Sequence, residues 1–343
     1  MALKLTTQQI EDTHQLVSSA KSIVITSHKS PDGDAVGSSL ALLGLISKIN
    51  KNAKVVLPDG ADAYLHWMIG YEDIILFEDQ KEFATSVIES ADLIFSLDYN
   101  NLSRTGAEME AVLRKSDAKF ILIDHHQQPE NYAVVLYSDT SACSTCEMIY
   151  RFADMCGWLE YIDNPVAEAI YCGIMTDSGS FRFPSVTPET HYIVADLMSK
   201  GMNHARVHQE IYDSNLVDRM KLVGYAISEK LQVWEDCATA VVSLTQEELQ
   251  RFNHRPGDTE GLVNQALSIK GIKMAVFFRE GNNEIKISFR SKGTFDVNVF
   301  ARGSWNGGGH KNAAGGMTKE TMDVALTRLE KEIRAIKNDI LAS

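Results

Sequence analysis

Four turns in this 343-residue chain combine aspartate and histidine in a way that could hold metal ions. Ser27-His28-Lys29-Ser30-Pro31-Asp32-Gly33-Asp34 follows the apolar run Ile23–Thr26, and Asp98 follows Leu93–Leu97. Asp124-His125-His126 follows Phe120–Ile123, and Asp177 follows an apolar-periodic helical stretch over 166–175. His28, Asp32, Asp34, Asp98, His125 and Asp177 together offer four carboxylates and two imidazoles. In one crevice the carboxylates would repel each other and take up protons. Two divalent cations would cancel that charge, with Asp98 as the expected bridge holding them about 3.5–4 Å apart. A water between the ions would become the nucleophile, and the ions would bind phosphate oxygens and stabilise charge in the transition state. Oxygen and imidazole donors without thiolate suit Mn²⁺ better than an all-oxygen Mg²⁺ shell.

Each turn also has a plainer explanation. Asp-Gly-Asp suits a turn for backbone reasons, a strand-end aspartate suits a helix cap, and His-His is often two ordinary histidines. Independent caps, however, have no reason to supply a full ligand set. Cys143-Ser-Thr-Cys146 reads as structural, because a zinc site needs a second pair or histidines at matching spacing.

The elements that must position these residues are legible in outline. Ile23–Thr26, Val55–Leu57, Leu93–Leu97 and Phe120–Ile123 are continuous apolar runs separated by helical patterns, notably 35–49. Such an alternation predicts an α/β fold with a mainly parallel sheet covered by helices. Ligands in such sheets bind at the carboxyl ends of the strands, where the first three turns fall and where Asp177 could join them. Ser144–Glu147 has capping-box spacing and should open a helix to Met155; Thr187-Pro188 should start another that Gly201 closes. Beyond about residue 215 the strands lengthen, at 238–244, 273–279 and 284–290, the last two joined by a turn at Glu280–Asn283. Thr245–Glu248 is another capping box, and 319–340 reads as an amphipathic helix. These patterns predict a first domain over 1–186, a helical linker over 187–215 and a smaller α+β domain over 216–343.

In that second domain, Gly307-Gly308-Gly309-His310 followed by Lys311 could present backbone N–H groups to an anion. A flexible loop is the competing reading, which Ala313-Ala314, a close-packing pair, argues against. Arg290-Ser291-Lys292 at a strand end is either a second phosphate grip or a solvated strand end. Composition narrows the partners. The net charge of −13 lacks the basic balance of a protein that tracks long nucleic acid by its phosphates. A short or mononucleotide ligand is still compatible, given cations gathered in one cleft. The longest strongly apolar stretch, Leu40–Ile46, is too short to cross a membrane, and the N-terminus lacks a signal-peptide core. The expected location is therefore the cytoplasm, with the five cysteines reduced.

His28-x-x-Pro31-Asp32-Gly33-Asp34-Ala35-x-Gly37-Ser38, Asp98, Asp124-His125-His126 and Asp177-x-Gly179-x-Phe181 resemble the successive motifs of the DHH phosphoesterase superfamily. Ser288-Phe289-Arg290-Ser291 and Gly307-Gly308-Gly309-His310-x-x-Ala313-Ala314-Gly315 resemble the DHHA1 domain that follows in one branch. In size the chain is similar to the stand-alone NrnA group, oligoribonucleases that also act on 3′-phosphoadenosine 5′-phosphate. The resemblance implies two Mn²⁺ ions, one held by His28, Asp32 and Asp98, the other by Asp34, Asp98, His125 and Asp177. By it His126 would face the scissile phosphate, Asp124 would orient the ligands from behind, and Arg104 would assist catalysis or contact substrate. Arg290, Ser291, Gly308, Gly309 and His310 would grip the end of a short substrate in a cleft between the domains.

Two positions depart from the family pattern. Tyr99 stands where a small hydroxyl residue is common and Ser178 where threonine is usual, which puts fine specificity in question. The implied substrates are short oligoribonucleotides cut to 5′-mononucleotides, and 3′-phosphoadenosine 5′-phosphate. A cyclic dinucleotide phosphodiesterase with the same motifs is the rival reading, and a non-catalytic nucleotide sensor a remote one. A pyrophosphatase carries a different C-terminal domain, and a RecJ-type exonuclease additional nucleic-acid-binding domains. A homodimer is expected from base rates alone.

Overall fold

The computed structural model describes residues 3–49 and 52–343. It divides into two compact units, Met1–Ser214 and Asn215–Ser343.

The first unit is built on six parallel strands: β1 (Ile23–Thr26), β2 (Ala53–Leu57), β3 (Ile75–Leu76), β4 (Leu93–Leu97), β5 (Lys119–Asp124) and β6 (Val135–Ser138). Their order is β3-β2-β1-β4-β5-β6, and every neighbouring pair is parallel. Residues of each central strand alternate between two cores. Ile23, Ile25, Phe95, Leu97, Ile121 and Ile123 face one, and Val24, Ile94 and Phe120 face the other. Burial on both faces is why these strands read as unbroken apolar runs. The two edge strands, β3 and β6, also lie within apolar runs, Ile74–Phe77 and Ala133–Tyr137, which sequence reasoning missed.

Among the described residues, eight helices belong to this unit: α1 (Thr7–Ser19), α2 (Gly33–Ile49), α3 (Lys81–Glu89), α4 (Ala107–Leu113), α5 (Thr145–Met155), α6 (Asn164–Asp177), α7 (Pro188–Ser199) and α8 (His204–Tyr212). Helices α7 and α8 pack against α6. Helices α2 and α6 approach each other closely. A Cβ on Gly37 would lie 2.6 Å from the Ala169 carbonyl oxygen, so only glycine lets these backbones come so near. The box expected at 144–147 is half made. The Ser144 hydroxyl accepts the Glu147 N–H at 3.0 Å, but the Glu147 carboxylate turns to Cys143, Thr190 and Arg151 instead of the cap backbone.

The second unit begins with α9 (Val217–Tyr225) and has a six-stranded sheet ordered β11-β12-β10-β9-β8-β7. Its strands are β7 (Gln232–Trp234), β8 (Thr239–Leu244), β9 (Met274–Glu280), β10 (Ile285–Ser291), β11 (Gly308–His310) and β12 (Ala313–Thr318). All pairs are antiparallel except β8 with β9. Helix α10 (Gln246–Arg251) carries a complete capping box from Thr245, and α11 (Leu262–Leu267) lies in the same core. Helices α12 (Val297–Ser304) and α13 (Met322–Ala335) cover the other face. The terminal helix expected over 319–340 is broken at Ile336 into α13 and α14 (Lys337–Ala342). The glycine run is an ordered hairpin rather than a flexible loop. Among the described residues no helix is long and apolar enough to cross a membrane.

Candidate metal centre

Strand order reverses between β1 and β4, the point at which an open α/β sheet forms a crevice at its carboxyl end. The Ser27 hydroxyl closes the base of that crevice by donating to the Leu97 carbonyl at 2.8 Å. His28 leaves β1 there, Asp98 leaves β4, and β5 ends on Asp124 with His125 and His126 immediately after. Asp98 adopts φ 62°, a left-handed conformation that costs a non-glycine residue energy and that aspartate tolerates better than most.

Asp98 is the centre of the group. Its Oδ2 lies 3.3 Å from His28 Nε2, and its Oδ1 lies 3.4 Å from His125 Nε2. The same His125 nitrogen is 3.4 Å from Asp177 Oδ2 and 3.8 Å from Asp34 Oδ2. His28, Asp32 and Asp98 form one cluster of converging donor atoms, and Asp34, His125 and Asp177 form another. His28, Asp34, Asp98 and His125 are buried, while Asp32 and part of Asp177 reach solvent. The plainer explanation of Asp32 holds: its Oδ1 caps α2, accepting the Asp34 and Ala35 N–H groups at 3.0 and 3.1 Å.

Helix α6 ends at Asp177 beside the start of α2, which brings a residue more than a hundred positions away into the crevice. Gly173, one turn earlier, has no room for a side chain, since its Cβ would lie 2.6 Å from Asp34 Oδ1. After Asp177 the chain turns sharply through three consecutive left-handed residues, Gly179, Ser180 and Phe181. The buried Ser178 hydroxyl fixes that turn by accepting the Phe181 N–H at 2.9 Å.

The electrostatics follow from packing acids together out of water. Burial raises the Asp34 carboxyl well above the usual carboxylate range, and the charges of Asp98 and Asp177 add to it. Asp177 is pushed up to about 6, chiefly by burial. Burial would raise Asp98 too, but hydrogen bonding to His125 and His28 holds it well below the usual range. Burial opposes the charged form of both imidazoles; hydrogen bonding to Asp98 and the surrounding carboxylates outweighs it, raising His28 and, further, His125. The cluster therefore keeps protons that a divalent cation would displace.

The donor set fits such ions. Ions about 2.1 Å from each donor would space adjacent donors by roughly 3 to 3.5 Å. The His28–Asp98, His125–Asp98 and His125–Asp177 contacts, at 3.3 to 3.4 Å, already lie in that range, and His125–Asp34, at 3.8 Å, lies just outside it. The tautomers fit as well. His28 Nδ1 is 2.9 Å from its neighbour's carbonyl at Lys29, and His125 Nδ1 is 3.4 Å from that of Ala142, which turns each Nε2 toward the carboxylates. His126 points its Nδ1 at Asp124 Oδ1, 2.7 Å away, so the carboxylate fixes the ring through that nitrogen. Asp124 is fully buried, and its second oxygen has no hydrogen-bond partner among the described residues.

Arg104 is exposed on the turn Leu102–Thr105, whose end residues are buried, and its carbonyl accepts the Lys29 N–H at 2.8 Å, tying the loops after β4 and β1 together. Tyr99 is fully buried beneath the sheet, its hydroxyl 2.7 Å from the Thr26 Oγ1 and 2.8 Å from the Ser96 Oγ. It is a core residue without access to the crevice.

The second unit holds the remaining residues singled out from sequence. Arg290 and His310 each pair with Ala313 from opposite sides of β12. Directly opposed residues share a face, so the two side chains flank the small Ala313 at roughly 10 Å, two strand spacings. Ser291 is buried, its hydroxyl donating to the Phe295 carbonyl at 2.7 Å and accepting from Asn312 Nδ2 at 2.9 Å. Gly308 and Gly309 lie in β11. A Cβ on Gly309 would lie 2.5 Å from the Ala313 carbonyl oxygen, so the hairpin needs glycine there.

Sequence reasoning missed Thr145. Its N–H donates to Asp34 Oδ2 at 2.6 Å, the Cys146 N–H donates to Asp34 Oδ1 at 2.8 Å, and the Thr145 hydroxyl donates to Asp98 Oδ1 at 2.9 Å. The only signal was that Ser144-Thr145 opens a helix. The flanking Cys143 and Cys146 form no disulfide and are buried.

A switch-point crevice lined by paired carboxylates and imidazoles has the donors of a two-metal site, a class of centre that includes the phosphoric ester hydrolases. Family models place the chain among those hydrolases. The DHH family, N-terminal domain, matches residues 22–174, and the DHHA1 domain matches residues 238–337. The chain belongs to the DHH family of phosphoesterases. It is 29% identical over 296 residues to a Bacillus subtilis protein named bifunctional oligoribonuclease and PAP phosphatase NrnA, covering 85% of this chain and 88% of that one. A Thermus thermophilus protein of the same name is 27% identical over 319 residues, covering 91% and 89%. The crystal structure of an exopolyphosphatase-related protein from Bacteroides fragilis matches with a TM-score of 0.95 and 37% identity, over 99% of both chains.

Proposed function

We propose that this protein is a two-metal phosphoesterase, with Mn²⁺ the expected ion, that hydrolyses short oligoribonucleotides to 5′-mononucleotides and 3′-phosphoadenosine 5′-phosphate to AMP. The observation that carries the chemistry is the division of Asp98, one oxygen toward His28 and the other toward His125. His28, Asp32 and Asp98 would hold one ion, and Asp34, Asp98, His125 and Asp177 the other. Ions so held lower the pKa of water and neutralise charge on phosphoryl oxygens.

The chain's own residues supply the rest. Asp124 fixes the ring of His126 through Nδ1, which leaves Nε2 to face the phosphate. Arg104, exposed on its turn, would contribute positive charge to a bound nucleotide. Arg290 and His310, on one sheet face, would engage the terminal phosphate or base of a short substrate, with Gly308 and Gly309 letting it approach the backbone. The substrate class rests on likeness to relatives whose names give oligoribonuclease and PAP phosphatase activity.

The test is product formation with Mn²⁺ on a matched panel: a linear diribonucleotide, a long RNA strand, 3′-phosphoadenosine 5′-phosphate, cyclic di-AMP and pyrophosphate. Rapid release of mononucleotide from the dinucleotide, with the long strand and the cyclic dinucleotide slow, supports the proposal. Preference for cyclic di-AMP would replace it with second-messenger turnover at the same centre.

A further inference from the structure

The first turn of α5 is aimed at the carboxylates of the centre, and its residues belong to none of the motifs that define it. Ser144, Thr145 and Cys146 are all fully buried. Ser144 caps the helix, and the next two N–H groups engage both oxygens of Asp34. The Thr145 hydroxyl donates to Asp98 Oδ1, the oxygen that also faces His125. Thr145 thus touches Asp98 with its side chain and Asp34 with its backbone.

This turn is held rigidly from below. The buried Glu147 carboxylate accepts the Cys143 thiol at 2.7 Å and the Thr190 hydroxyl at 2.9 Å, and it pairs with Arg151. Arg151 also reaches Asp139 at 3.4 Å. The segment from Asp139 to Glu147 is therefore pinned at both ends, and it includes Ala142, whose carbonyl faces His125 Nδ1. A carboxylate has two lone pairs on each oxygen. The Thr145 bond occupies one on Oδ1 and leaves the other directed at the His125 side. Without that bond Asp98 could rotate about its side-chain torsions, constrained only by the imidazoles.

We propose that Thr145 is a positioning residue for the bridging carboxylate, and that it sets the affinity of the ion on the His125, Asp34 and Asp177 side more than that of the ion on the His28 side. This rests on the two-metal reading above. A purely structural hydroxyl would contribute to folding and leave metal binding unchanged.

The test uses the full chain stripped of metal, with Thr145→Val, Thr145→Ala and Thr145→Ser. Mn²⁺ uptake is measured by calorimetric titration, spin coupling between bound ions by electron paramagnetic resonance, and folding by the thermal midpoint. The valine variant should bind one ion with wild-type affinity and the other about 10–100-fold more weakly, losing the coupled signal at limiting Mn²⁺. Serine should restore both to within a few-fold. If valine does not fold, the alanine and serine pair carries the same comparison. Two ions bound at wild-type affinities by folded valine or alanine protein would overturn the proposal. Wild-type protein binding fewer than two ions would overturn the two-metal reading, and this inference with it.

Discussion

Gly173 and Asp34 are separated by less than the width of a methyl group, because a Cβ at Gly173 would sit 2.6 Å from Asp34 Oδ1 and closer still to Cys146 Sγ. Helix α6 thereby buttresses a carboxylate held on its other side by the first turn of α5. Gly173→Ala should push Asp34 out of line and destabilise the fold by about 1–3 kcal/mol, the range for overpacking a filled core. Mn²⁺ affinity should fall along with the thermal midpoint. A folded alanine variant with unchanged midpoint and unchanged Mn²⁺ titration would show that this contact is not restrictive.

Asp98 answers to both histidines, so its removal should be felt twice. Asp98→Ala should lower kcat by at least about a thousandfold, in line with the several kcal/mol that metal ions contribute to phosphoryl transfer. It should also reduce the ions bound, which titration reads independently of turnover. Near-wild-type kcat with Mn²⁺ in that variant would remove Asp98 from the centre of the mechanism.

Much of this arrangement is legible in sequence because it is written in local signals. The central strands β1, β4 and β5 are unbroken apolar runs, and the acidic and histidine residues sit at their carboxyl ends, where strand order alone makes them converge. Residues such as Thr145 are invisible for the opposite reason. A buried threonine after a capping serine looks like ordinary helix initiation, and its significance comes from tertiary contacts with Asp34 and Asp98. Glu147 misleads in the same way, since its spacing from Ser144 fits a local cap while its partners Arg151 and Thr190 are brought by packing. Strands β11 and β12 are built largely from Gly308, Gly309, Ala313, Ala314, Gly315 and Gly316, a composition with little strand preference. They pair because β10 offers an edge and because small residues permit close approach.

The proton inventory of the centre predicts how the metal-free protein responds to pH. His28 and His125 are raised above 6.5 in the fold, so their stabilising effect is full below that value and is lost as pH climbs through their folded values. Asp177, pushed up to about 6, and Asp34, raised well above the carboxylate range, act in the same direction, since ionising either inside the fold is unfavourable relative to the unfolded chain. The Asp177 loss is largely complete near pH 6, which leaves the histidines and Asp34 to govern the slope above it. Asp98, held low, contributes stability throughout the neutral range. The chelated protein should therefore melt lower at pH 8 than at pH 6, by about 2 °C for each kcal/mol lost. Mn²⁺ should raise the midpoint more at pH 8, where fewer protons compete for the ligands. Melting curves with chelator and with Mn²⁺ at pH 6, 7 and 8 decide it; a chelated midpoint that stays flat or rises contradicts the account.

Arg290 and His310 flank Ala313 on one face of the second sheet, which gives a test of substrate grip. If the two side chains hold one end of a short nucleotide, truncating either removes binding that is equal in ground state and transition state. His310→Ala should then raise KM for the dinucleotide and for 3′-phosphoadenosine 5′-phosphate about tenfold while kcat changes little. Arg290→Ala should do the same, with a larger effect on the substrate whose engaged end carries a phosphate, because a guanidinium binds phosphate with two parallel hydrogen bonds. Ala313→Leu tests the geometry itself. A leucine between the two would fill the space they flank, raising KM without removing either donor. Steady-state kinetics of the three variants on both substrates, with Mn²⁺ saturating, separates the outcomes. Unchanged KM in all three would mean that this face takes no part in binding, whereas a loss of kcat at constant KM would move its role from holding the substrate to the chemical step.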